Sequence, residues 1–504
     1  MASTNSSPLL GLDLGTSSVK TVLFDRSGRV LASASRDYPT LRPQPGWAEQ
    51  DPAVWWEAAV ATLREVLSAG APPPVALGIS SQSSALVPVT AEGQALGLAP
   101  LWLDRRAQPE CDEIRSVVGE ERILALSGNR LDPSYLLPKV LWLRAHQPER
   151  YAAAAHFLHA GGFLVHRLTG AASTDRTEGG MSLLYDMSTG AWSPELLSAF
   201  DLPAEKFPAM RSATEVVGQV TDAAAAATGL PPGLPVMAGS MDLLAAATGA
   251  AVAAEGQSFL VIGTATVLAT CIPRPQPHAD LQMHNHALPG LWVHAANVDF
   301  GGAAFGWLRG VLRGAGAELS YEELARLAEA TFPERSTLLF LPYMVGQRAP
   351  LWDDDCRGVF FGLQPEHTAG HLIRAVLEGN ALALGRLQAL QEQVHGRPIE
   401  EIHVSGGQSA LPLVNQMVAD VTGRTVVVMD APEVACRGAA LLAGLGTGMY
   451  ASAEELSGAV RVAQRFSPRP EWHEHYARLG EIMAEVYTAS RPGLQRLWEE
   501  GKRP

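Results

Sequence analysis

Leu9-Leu10-Gly11-Leu12-Asp13-Leu14-Gly15-Thr16-Ser17-Ser18-Val19-Lys20 is the segment from which the fold can be worked out. Leu9 to Leu14 is apolar apart from one glycine and one aspartate, which predicts a buried strand. Gly15 to Ser18 has the residue types of a tight turn, and Val19 to Phe24 is β-rich again. Ser27-Gly28 predicts a second turn and Arg29 to Ser35 a third strand, so the chain begins with an antiparallel meander.

A helix and another strand follow this meander. Asp51 is a good N-cap and Pro52 suits the first helical position, which predicts a helix over Pro52 to Ala69. Val75 to Ser80 is a short apolar strand. Three antiparallel strands, a helix and a further strand resemble the ribonuclease-H-like lobe used by actin and the sugar kinases. The predicted class is therefore α/β.

The second half of the chain repeats the opening pattern weakly. Phe259 to Leu268 again reads as strand, Gly-Thr turn and strand, but it has no aspartate matching Asp13. We therefore expect two ribonuclease-H-like (actin-like ATPase) lobes, residues 1–246 and 247–504, with an active-site cleft between them.

Composition limits the function classes. The chain has 504 residues, a hydrophobic content of 47% and a net charge of −14. The hydrophobic content excludes a mainly disordered chain. The negative charge argues against nucleic acid and anionic membranes as partners. The start of the chain lacks the basic and apolar regions of a signal peptide.

The cysteines indicate a reducing compartment. All four lie far apart and form no CxxC pair, which argues against a zinc site or a disulfide scaffold. We interpret them as reduced, buried thiols of a cytoplasmic protein; they are Cys111, Cys271, Cys356 and Cys436.

The opening turn is the first candidate phosphate site. A turn with glycine lets backbone N–H groups approach a phosphate, and Thr16 and Ser17 add hydroxyl donors. Asp13, at the end of the strand, is placed to hold Mg²⁺ through water. The alternative interpretation is an ordinary hairpin with an aspartate next to its turn.

Asp242 is the candidate catalytic group. Val236 to Asp242 predicts an apolar strand that delivers the carboxylate to the start of an Ala-rich helix. There it can cap the helix, or it can act as the general base for an attacking hydroxyl. Phosphoryl transfer needs such a base, a metal ion and accurate positioning.

A third motif, Val404-Ser405-Gly406-Gly407-Gln408, is a strand ending in two glycines, which allows close approach of a ring or a phosphate. In this order the three motifs resemble the FGGY family of carbohydrate kinases. Further segments carry the same resemblance: Gly358 to Leu363, His371 to Glu378, Pro45 to Pro52, Trp102 to Arg106, Lys139 to Leu143, Leu184 to Asp186, and Gln416 to Asp420. Together they span about Leu9 to Tyr450.

The resemblance implies roles for individual residues. Asp242 matches the family's catalytic base and Asp13 the carboxylate near Mg²⁺. ATP is expected between the lobes, and the sugar mostly on the first lobe. The implied ATP-binding residues are Thr16, Ser17, Gly263, Thr264, Gly302, Gly406 and Gly407, and the implied substrate-binding residues are Gln82, Ser83, Ser84, Asp104 and Asp242.

The chain is most similar to the xylulokinase branch, with two departures. Gln82-Ser83-Ser84-Ala85 stands where xylulokinases show Gln-Met-His-Gly, and the Arg-Glu pair of glycerol kinases is absent as well. Ala410 stands where related kinases often have an asparagine beside the adenine.

The resemblance leaves several acceptors and assemblies open. It implies a ketopentose acceptor such as D-xylulose, and the alternatives are another ketose, a polyol such as glycerol or erythritol, or an aldonate. A sugar-independent actin-like ATPase is a rival from another class. A homodimer is possible, since dimers occur among such kinases.

Two other clusters invite a metal interpretation. His284-Asn285-His286 lacks a suitably spaced acidic or cysteine partner, so we expect it to line a loop. Asp353-Asp354-Asp355 follows Trp352, and we expect it to form an exposed acidic turn.

Overall fold

The computed structural model describes residues 7–430 and 433–501. By their contacts these residues form two units, each built from several stretches of chain. The first comprises the described residues up to 255, those of 271–293 and those of 431–461. The second comprises 256–270, 294–430 and the described residues from 462 onward. A lobe boundary near residue 246 stays a prediction.

The strands, in chain order, are β1 (Leu9–Leu14), β2 (Ser18–Phe24), β3 (Val30–Asp37), β4 (Glu49–Gln50), β5 (Ala76–Ser81), β6 (Val87–Val89), β7 (Ala99–Pro100), β8 (His156–Leu158), β9 (Thr174–Asp175), β10 (Tyr185–Asp186), β11 (Ala191–Trp192), β12 (Met210–Arg211), β13 (Val216–Gln219), β14 (Pro235–Met237), β15 (Ser240–Met241), β16 (Gln257–Ile262), β17 (Thr266–Ile272), β18 (Gln282–Asn285), β19 (Trp292–Val298), β20 (Leu339–Leu341), β21 (Val359–Phe361), β22 (Glu401–Ser405), β23 (Thr425–Met429) and β24 (Val462–Phe466).

The α-helices are α1 (Pro52–Leu67), α2 (Gln108–Val117), α3 (Glu120–Ser127), α4 (Leu136–His146), α5 (Pro148–Ala153), α6 (Ala160–Thr169), α7 (Pro194–Ala199), α8 (Asp222–Thr228), α9 (Asp242–Gly249), α10 (Gly301–Gly314), α11 (Tyr321–Glu329), α12 (Ala369–His395), α13 (Pro412–Thr422), α14 (Val434–Gly446), α15 (Ala453–Gly458) and α16 (Pro470–Gly501). Short 3₁₀ helices include Arg176–Glu178 and Gly407–Ala410.

The first unit is built on a sheet with the strand order β13-β14-β5-β1-β2-β3. The meander predicted from the first segment is confirmed, because β1, β2 and β3 are successive antiparallel neighbours. β5 then joins β1 in parallel, and β14 and β15 join β5 in parallel. The carboxyl ends of β1, β5 and β15 therefore lie at one edge.

Helix α1 covers one face of this sheet. It begins as predicted, with Asp51 accepting a hydrogen bond from the Ala53 N–H at 2.9 Å and Pro52 in the first turn. Trp55 and Leu63 are fully buried in the core between helix and sheet. This packing anchors β1, the strand that carries Asp13.

Helix α14 approaches the same sheet unusually closely, because glycines remove the side chains that would separate them. A Cβ atom on Gly11 would lie 1.9 Å from the Cys436 carbonyl oxygen. A Cβ on Gly78 would lie 1.8 Å from the carbonyl oxygen of Ala439. Close packing of α14 against the sheet therefore requires glycine at these positions in β1 and β5, and this contact fixes the distance between α14 and the strand that bears Asp13.

The second unit repeats this plan. Six of its neighbouring strands have the order β19-β17-β16-β22-β23-β24. β16 and β17 are antiparallel, β22 and β23 add in parallel, and β24 closes the row antiparallel to β23. The strand–turn–strand predicted over Phe259 to Leu268 is confirmed.

The prediction that His284 lines a loop is wrong. The prediction of an exposed acidic turn is confirmed for Asp354, which is exposed in a turn, and wrong for Asp353. His284 lies within strand β18 and is buried, as is its neighbour Met283. Asp353 is also buried, and it accepts a hydrogen bond from the Tyr487 hydroxyl at 2.7 Å. Asp353 is therefore a buried hydrogen-bond acceptor and not part of an exposed acidic surface.

Candidate active site

Asp13 is the penultimate residue of β1, close to the carboxyl end of that strand in the first unit. In the pairing register it stands opposite Lys20 of β2 and Ser80 of β5. The Ser80 hydroxyl donates a hydrogen bond to Asp13 Oδ1 at 2.6 Å. Burial raises the pKa of the Asp13 carboxyl, while the hydrogen bond from Ser80 and the positive charge of Lys20 oppose that shift.

Asp242 is brought to the same edge by β15. Ser240 and Met241 pair with Ser80 and Ser81 of β5. Asp13 lies in β1, which also pairs with β5, and Asp242 follows β15. Strands β1 and β15 are therefore two strand spacings apart, about 10 Å. Asp242 is the first residue of α9, and its Oδ1 accepts the Leu243 N–H at 2.7 Å. Burial and then the charge of Asp13 raise the pKa of Asp242 to about 7.

The turn after Asp13 has its backbone held from outside. The Gly15 N–H donates to the Ser18 carbonyl at 2.9 Å. The Thr16 carbonyl accepts from Gln50 Nε2 at 2.6 Å, and the Thr16 hydroxyl accepts from Trp102 Nε1 at 3.1 Å. Ser17 is exposed, so the turn presents free donor groups on a fixed backbone.

Gln50 links this turn to the predicted acceptor residues. Its side-chain oxygen accepts from Trp55 Nε1 at 2.9 Å and from Gln82 Nε2 at 3.0 Å. Since Gln82 Nε2 donates to Gln50, only the amide oxygen of the Gln82 side chain can still accept a hydrogen bond. That oxygen, Gln82 Oε1, is buried and has no hydrogen-bond partner among the described residues.

Ser83 and Ser84 continue from Gln82 in different environments. Ser83 is half-buried, whereas Ser84 is fully buried with a φ of 57°. The Lys139 ammonium donates to the carbonyls of Ser84 and Leu101, at 2.6 and 2.7 Å. Burial lowers the pKa of Lys139 to about 7. The segment Lys139 to Leu143 was identified from the sequence, but the hydrogen bonds by which Lys139 holds this loop could not be predicted from it.

Asp104 has both carboxylate oxygens engaged. Oδ2 accepts the Ala48 N–H at 2.7 Å, and the Arg106 guanidinium donates to both oxygens. Arg106 also pairs with Glu49 at 2.8 Å and lies over the Trp47 ring. The described contacts of Asp104 therefore anchor the surrounding loops, and its contact with substrate stays a prediction.

The glycine-rich candidates lie together in the second unit. Gly263 follows β16, and its N–H donates to the Ala265 carbonyl at 3.1 Å. The Thr264 carbonyl accepts the Ala303 N–H at 3.0 Å, which ties this turn to the start of α10. A Cβ on Gly302 would lie 1.7 Å from the Gly263 carbonyl oxygen, so this contact requires glycine.

Gly406 and Gly407 follow the neighbouring strand β22. Gly406 has a φ of 99°, and a Cβ there would lie 2.6 Å from the Ile262 carbonyl oxygen. Gly407 is exposed, with open space around its Cα. Gln408 Nε2 donates to the Gly302 carbonyl at 2.8 Å. The structure thus brings Gly263, Thr264, Gly302, Gly406 and Gly407 to one edge of the second sheet.

Within residues 7–430 and 433–501 no group of three or more His, Cys, Asp or Glu side chains is placed to hold a metal ion. No described helix combines the length and apolar character needed to span a bilayer. The four cysteines are free and buried, as predicted.

Known proteins are similar to the chain over almost its whole length. The chain is 28% identical to a xylulose kinase of Bacillus subtilis, with 96% of this chain and 97% of the relative covered. It is 33% identical to a glycerol kinase of Methylibium petroleiphilum, with 91% and 95% covered. The crystal structure of xylulose kinase from Rhodospirillum rubrum superposes with a TM-score of 0.90 at 30% identity, covering 97% of this chain and 99% of that one.

Family assignment follows from both halves of the chain. Residues 9–249 match the N-terminal domain of the FGGY family of carbohydrate kinases. Residues 259–447 match the C-terminal domain of the same family. The chain therefore belongs to the FGGY family of carbohydrate kinases, and its fold is the two-domain α/β fold of that family.

Proposed function

We propose that this chain transfers the γ-phosphoryl group of ATP to a primary hydroxyl of a small uncharged ketose or polyol, with a ketopentose such as D-xylulose as the first candidate. Use of ATP and a carbohydrate follows from the family. The observation that carries the proposal is Asp242, a carboxylate at a sheet edge whose pKa is raised to about 7. A base with that pKa suits proton abstraction near neutral pH.

In the proposed reaction Asp242 takes the proton of the acceptor hydroxyl as its oxygen attacks the γ-phosphorus. A phosphorus–oxygen bond forms to the sugar, and the bond from the γ-phosphorus to the β,γ-bridging oxygen breaks, which releases ADP. The proton ends on Asp242 and passes to solvent after turnover. The Thr16 and Ser17 groups donate to the oxygens of the transferred phosphoryl.

Asp13 is the residue proposed to hold Mg²⁺. Its carboxylate suits an oxygen-preferring cation, and its described hydrogen bond from Ser80 occupies one oxygen, Oδ1. When bound, the ion neutralises charge on the nucleotide phosphates. Asp13 also raises the pKa of Asp242, so the two carboxylates act on the same reaction in different roles.

The second unit is proposed to hold the nucleotide. Thr264 and Gly407 are exposed at the turns after β16 and β22, and glycine backbone at both turns permits close contact with a phosphate or a ring. Gly302 keeps the first of these turns against α10. These groups supply binding, and the reacting carboxylates belong to the first unit.

Charge favours an uncharged acceptor over an aldonate. The two buried cations next to the acceptor loop are already committed: Lys139 to two carbonyl oxygens, and Arg106 to Asp104 and Glu49. An aldonate carboxylate would need a cation of its own to offset desolvation. Ketopentose and polyol remain, in line with the xylulose and glycerol kinases among the relatives.

We also propose a cytoplasmic enzyme without nucleic acid or membrane partners. Buried free thiols and a net charge of −14 support this. A homodimer is the proposed assembly, and it rests on the family resemblance alone.

The test is coupled ADP release with Mg-ATP and D-xylulose, D-ribulose, L-ribulose, L-xylulose, erythritol, glycerol and gluconate. One strong neutral responder is expected, and ³¹P NMR of the product identifies the phosphorylated hydroxyl. Gluconate as the best acceptor would contradict the charge argument. ADP release that no acceptor stimulates would favour the actin-like ATPase.

A further inference from the structure

Ser84 stands out in the acceptor loop because its backbone is left-handed without being glycine. Its φ is 57°, a conformation that costs free energy for a side chain with a Cβ and persists only where surroundings enforce it. Both of its backbone polar groups are held. The N–H donates to Glu178 Oε2 at 3.1 Å, and the carbonyl accepts from Lys139 at 2.6 Å.

Glu178 is not among the residues predicted from the sequence, and it has no other assigned task. It ends the 3₁₀ helix Arg176–Glu178, which Asp175 caps by accepting the Thr177 N–H at 3.0 Å. The Thr177 hydroxyl in turn accepts the Met241 N–H at 2.8 Å. One short buried segment thus contacts both the acceptor loop and the residue before Asp242.

The surroundings of the Glu178 carboxyl group disfavour its ionised form. Its side chain is inaccessible to solvent, and burial together with the charge of Asp175 holds its pKa well above the usual range. His159 Nδ1 lies 3.5 Å from Glu178 Oε2, and burial lowers the pKa of His159 to about 3, so this imidazole supplies no positive charge near neutral pH. Glu178 therefore serves as a buried hydrogen-bond acceptor for the Ser84 N–H.

We propose that Glu178 is a positioning residue that holds Ser84 in its left-handed conformation and so sets the shape of the acceptor pocket. It acts through the Ser84 backbone and takes no part in proton or phosphoryl transfer. This proposal rests on the proposed function, since the loop from Gln82 to Ser84 is its acceptor site. The consequence is a residue that controls the KM of the acceptor and leaves the KM of ATP unchanged.

Three substitutions test whether Glu178 acts as a hydrogen-bond acceptor or as an ionised group. Glu178→Gln keeps an oxygen that can accept the Ser84 N–H. Glu178→Met keeps the length of the side chain and removes that oxygen. Glu110→Met is the matched control, because Glu110 is another buried glutamate of the first unit, 3.3 Å from His146. Thermal unfolding of each variant reports whether it folds.

With the best acceptor we expect the acceptor KM to differ between the Glu178→Met and Glu178→Gln variants. Glu178→Met raises the acceptor KM about tenfold, which corresponds to the loss of one hydrogen bond that resists backbone strain. Glu178→Gln stays within about twofold of the unsubstituted enzyme, and so does the control. Equal loss of kcat in Glu178→Gln and Glu178→Met would overturn the proposal, because it would indicate an ionised carboxylate acting in the chemistry.

A second test asks whether the effect passes through Ser84. Glycine adopts positive φ at no steric cost, so in a Ser84→Gly background Glu178→Met should raise the acceptor KM by less than about threefold. In a Ser84→Ala background, which removes the same hydroxyl but keeps the strain, the effect should remain about tenfold. An equal effect in both backgrounds would refute the route through Ser84.

A crystal structure of Glu178→Met gives a readout that does not depend on activity. We expect the φ of residue 84 to become negative, and an unchanged φ would refute the positioning role. If the unsubstituted enzyme phosphorylates none of the acceptors, the proposed function fails while this measurement still decides the role of Glu178.

Discussion

The two sheets of this molecule share one plan and differ in chemistry. The row β13-β14-β5-β1-β2-β3 of the first unit and the row β24-β23-β22-β16-β17-β19 of the second have the same sequence of parallel and antiparallel neighbours where both are defined. They differ at the outermost strand, since β13 precedes β14 in the chain whereas β24 follows β23. Each begins with a hairpin whose turn starts with glycine and threonine. Equivalent positions can therefore be compared directly.

The two sheets differ at one equivalent position of the strand pairing, the penultimate residue of the strand before the glycine turn. In the first sheet Asp13 stands opposite Ser80, and in the second Val261 stands opposite Ser405. The serine is retained while the carboxylate is replaced by an apolar side chain. The first edge thus offers two carboxylates, whereas the second offers glycine backbone. This difference is the basis for our proposal that the first sheet supplies the base and the metal-binding carboxylate and that the second sheet binds the nucleotide.

Removal of the base is the strongest challenge to this division. Asp242→Ala should lower kcat about a thousandfold, since a general base contributes roughly 10² to 10⁴ in rate. Coupled ADP release measures turnover, and calorimetry measures nucleotide affinity, which should not change. Substantial remaining turnover would contradict the assignment of the base to the first sheet.

The next effect tests the register position. Asp13→Asn should reduce kcat/KM about 100-fold, the upper range for loss of a group that orients a metal ion. Val261→Thr, at the equivalent place in the second sheet, should leave kcat within about twofold. Titration with Mg²⁺ is the measurement, because only Asp13→Asn should need more of the ion. The same Mg²⁺ requirement in both variants would refute the comparison.

A tenfold effect is expected from the second sheet. In Gly302→Ala the new methyl group would lie 1.7 Å from the Gly263 carbonyl oxygen, so the turn must move. Overpacking of this kind costs about 1–3 kcal/mol, and we expect the KM of ATP to rise at least about tenfold while the acceptor KM stays unchanged.

Gly310→Ala is the control for this prediction. Gly310 lies in the same helix, α10, and has nothing within 4 Å of the position of a Cβ. Its substitution should change neither KM. A rise in acceptor KM for Gly302→Ala would place the acceptor with the second sheet and reverse the assignment.

The smallest effects are those of pH on Asp242. A general base works only when ionised, so if Asp242 has the proposed role, kcat should be lost as pH falls through about 7 and should level off above it. The stability effect has the opposite direction, because a folded-state pKa raised from 3.8 to about 7 means that ionisation disfavours the folded state.

The measurement for this last prediction is the melting temperature of Asp242→Asn, which carries no charge. Its advantage over the unsubstituted protein should grow between pH 4 and pH 7 and then remain constant, reaching about 2 °C or more. An advantage that is the same at pH 4 and pH 8 would mean that the folded protein does not disfavour the ionised carboxylate.

Much of the first edge could be predicted from local sequence. Asp13 and Asp242 each end a short apolar run beside turn or helix signals, and those signals act over neighbouring residues. Glu178 and Gln50 carried no such signal. Glu178 is 94 residues from Ser84, and Gln50 holds Thr16 and Gln82 from a distant part of the chain, so their roles depend on contacts that no local pattern encodes.

His284 and Asp353 illustrate the same limit from the other side. Both are polar residues in polar stretches, and composition favoured a loop and an exposed turn. Asp353 is buried with a partner remote in sequence, the Tyr487 hydroxyl, which satisfies its carboxylate. His284 is buried although neither ring nitrogen has a hydrogen-bond partner among the described residues, so its burial comes from the strand around it.

The strand meanders, the cap of α1, the glycine turns and the family itself were readable from the amino-acid sequence, because they depend on alternation, capping and spacing over a few residues. Tertiary structure was needed for the raised pKa of Asp242, the left-handed Ser84 and the passage of α14 beneath the first sheet at Gly11. Each of these arises from desolvation or close packing between segments far apart in the chain, and such effects exist only once the chain has folded.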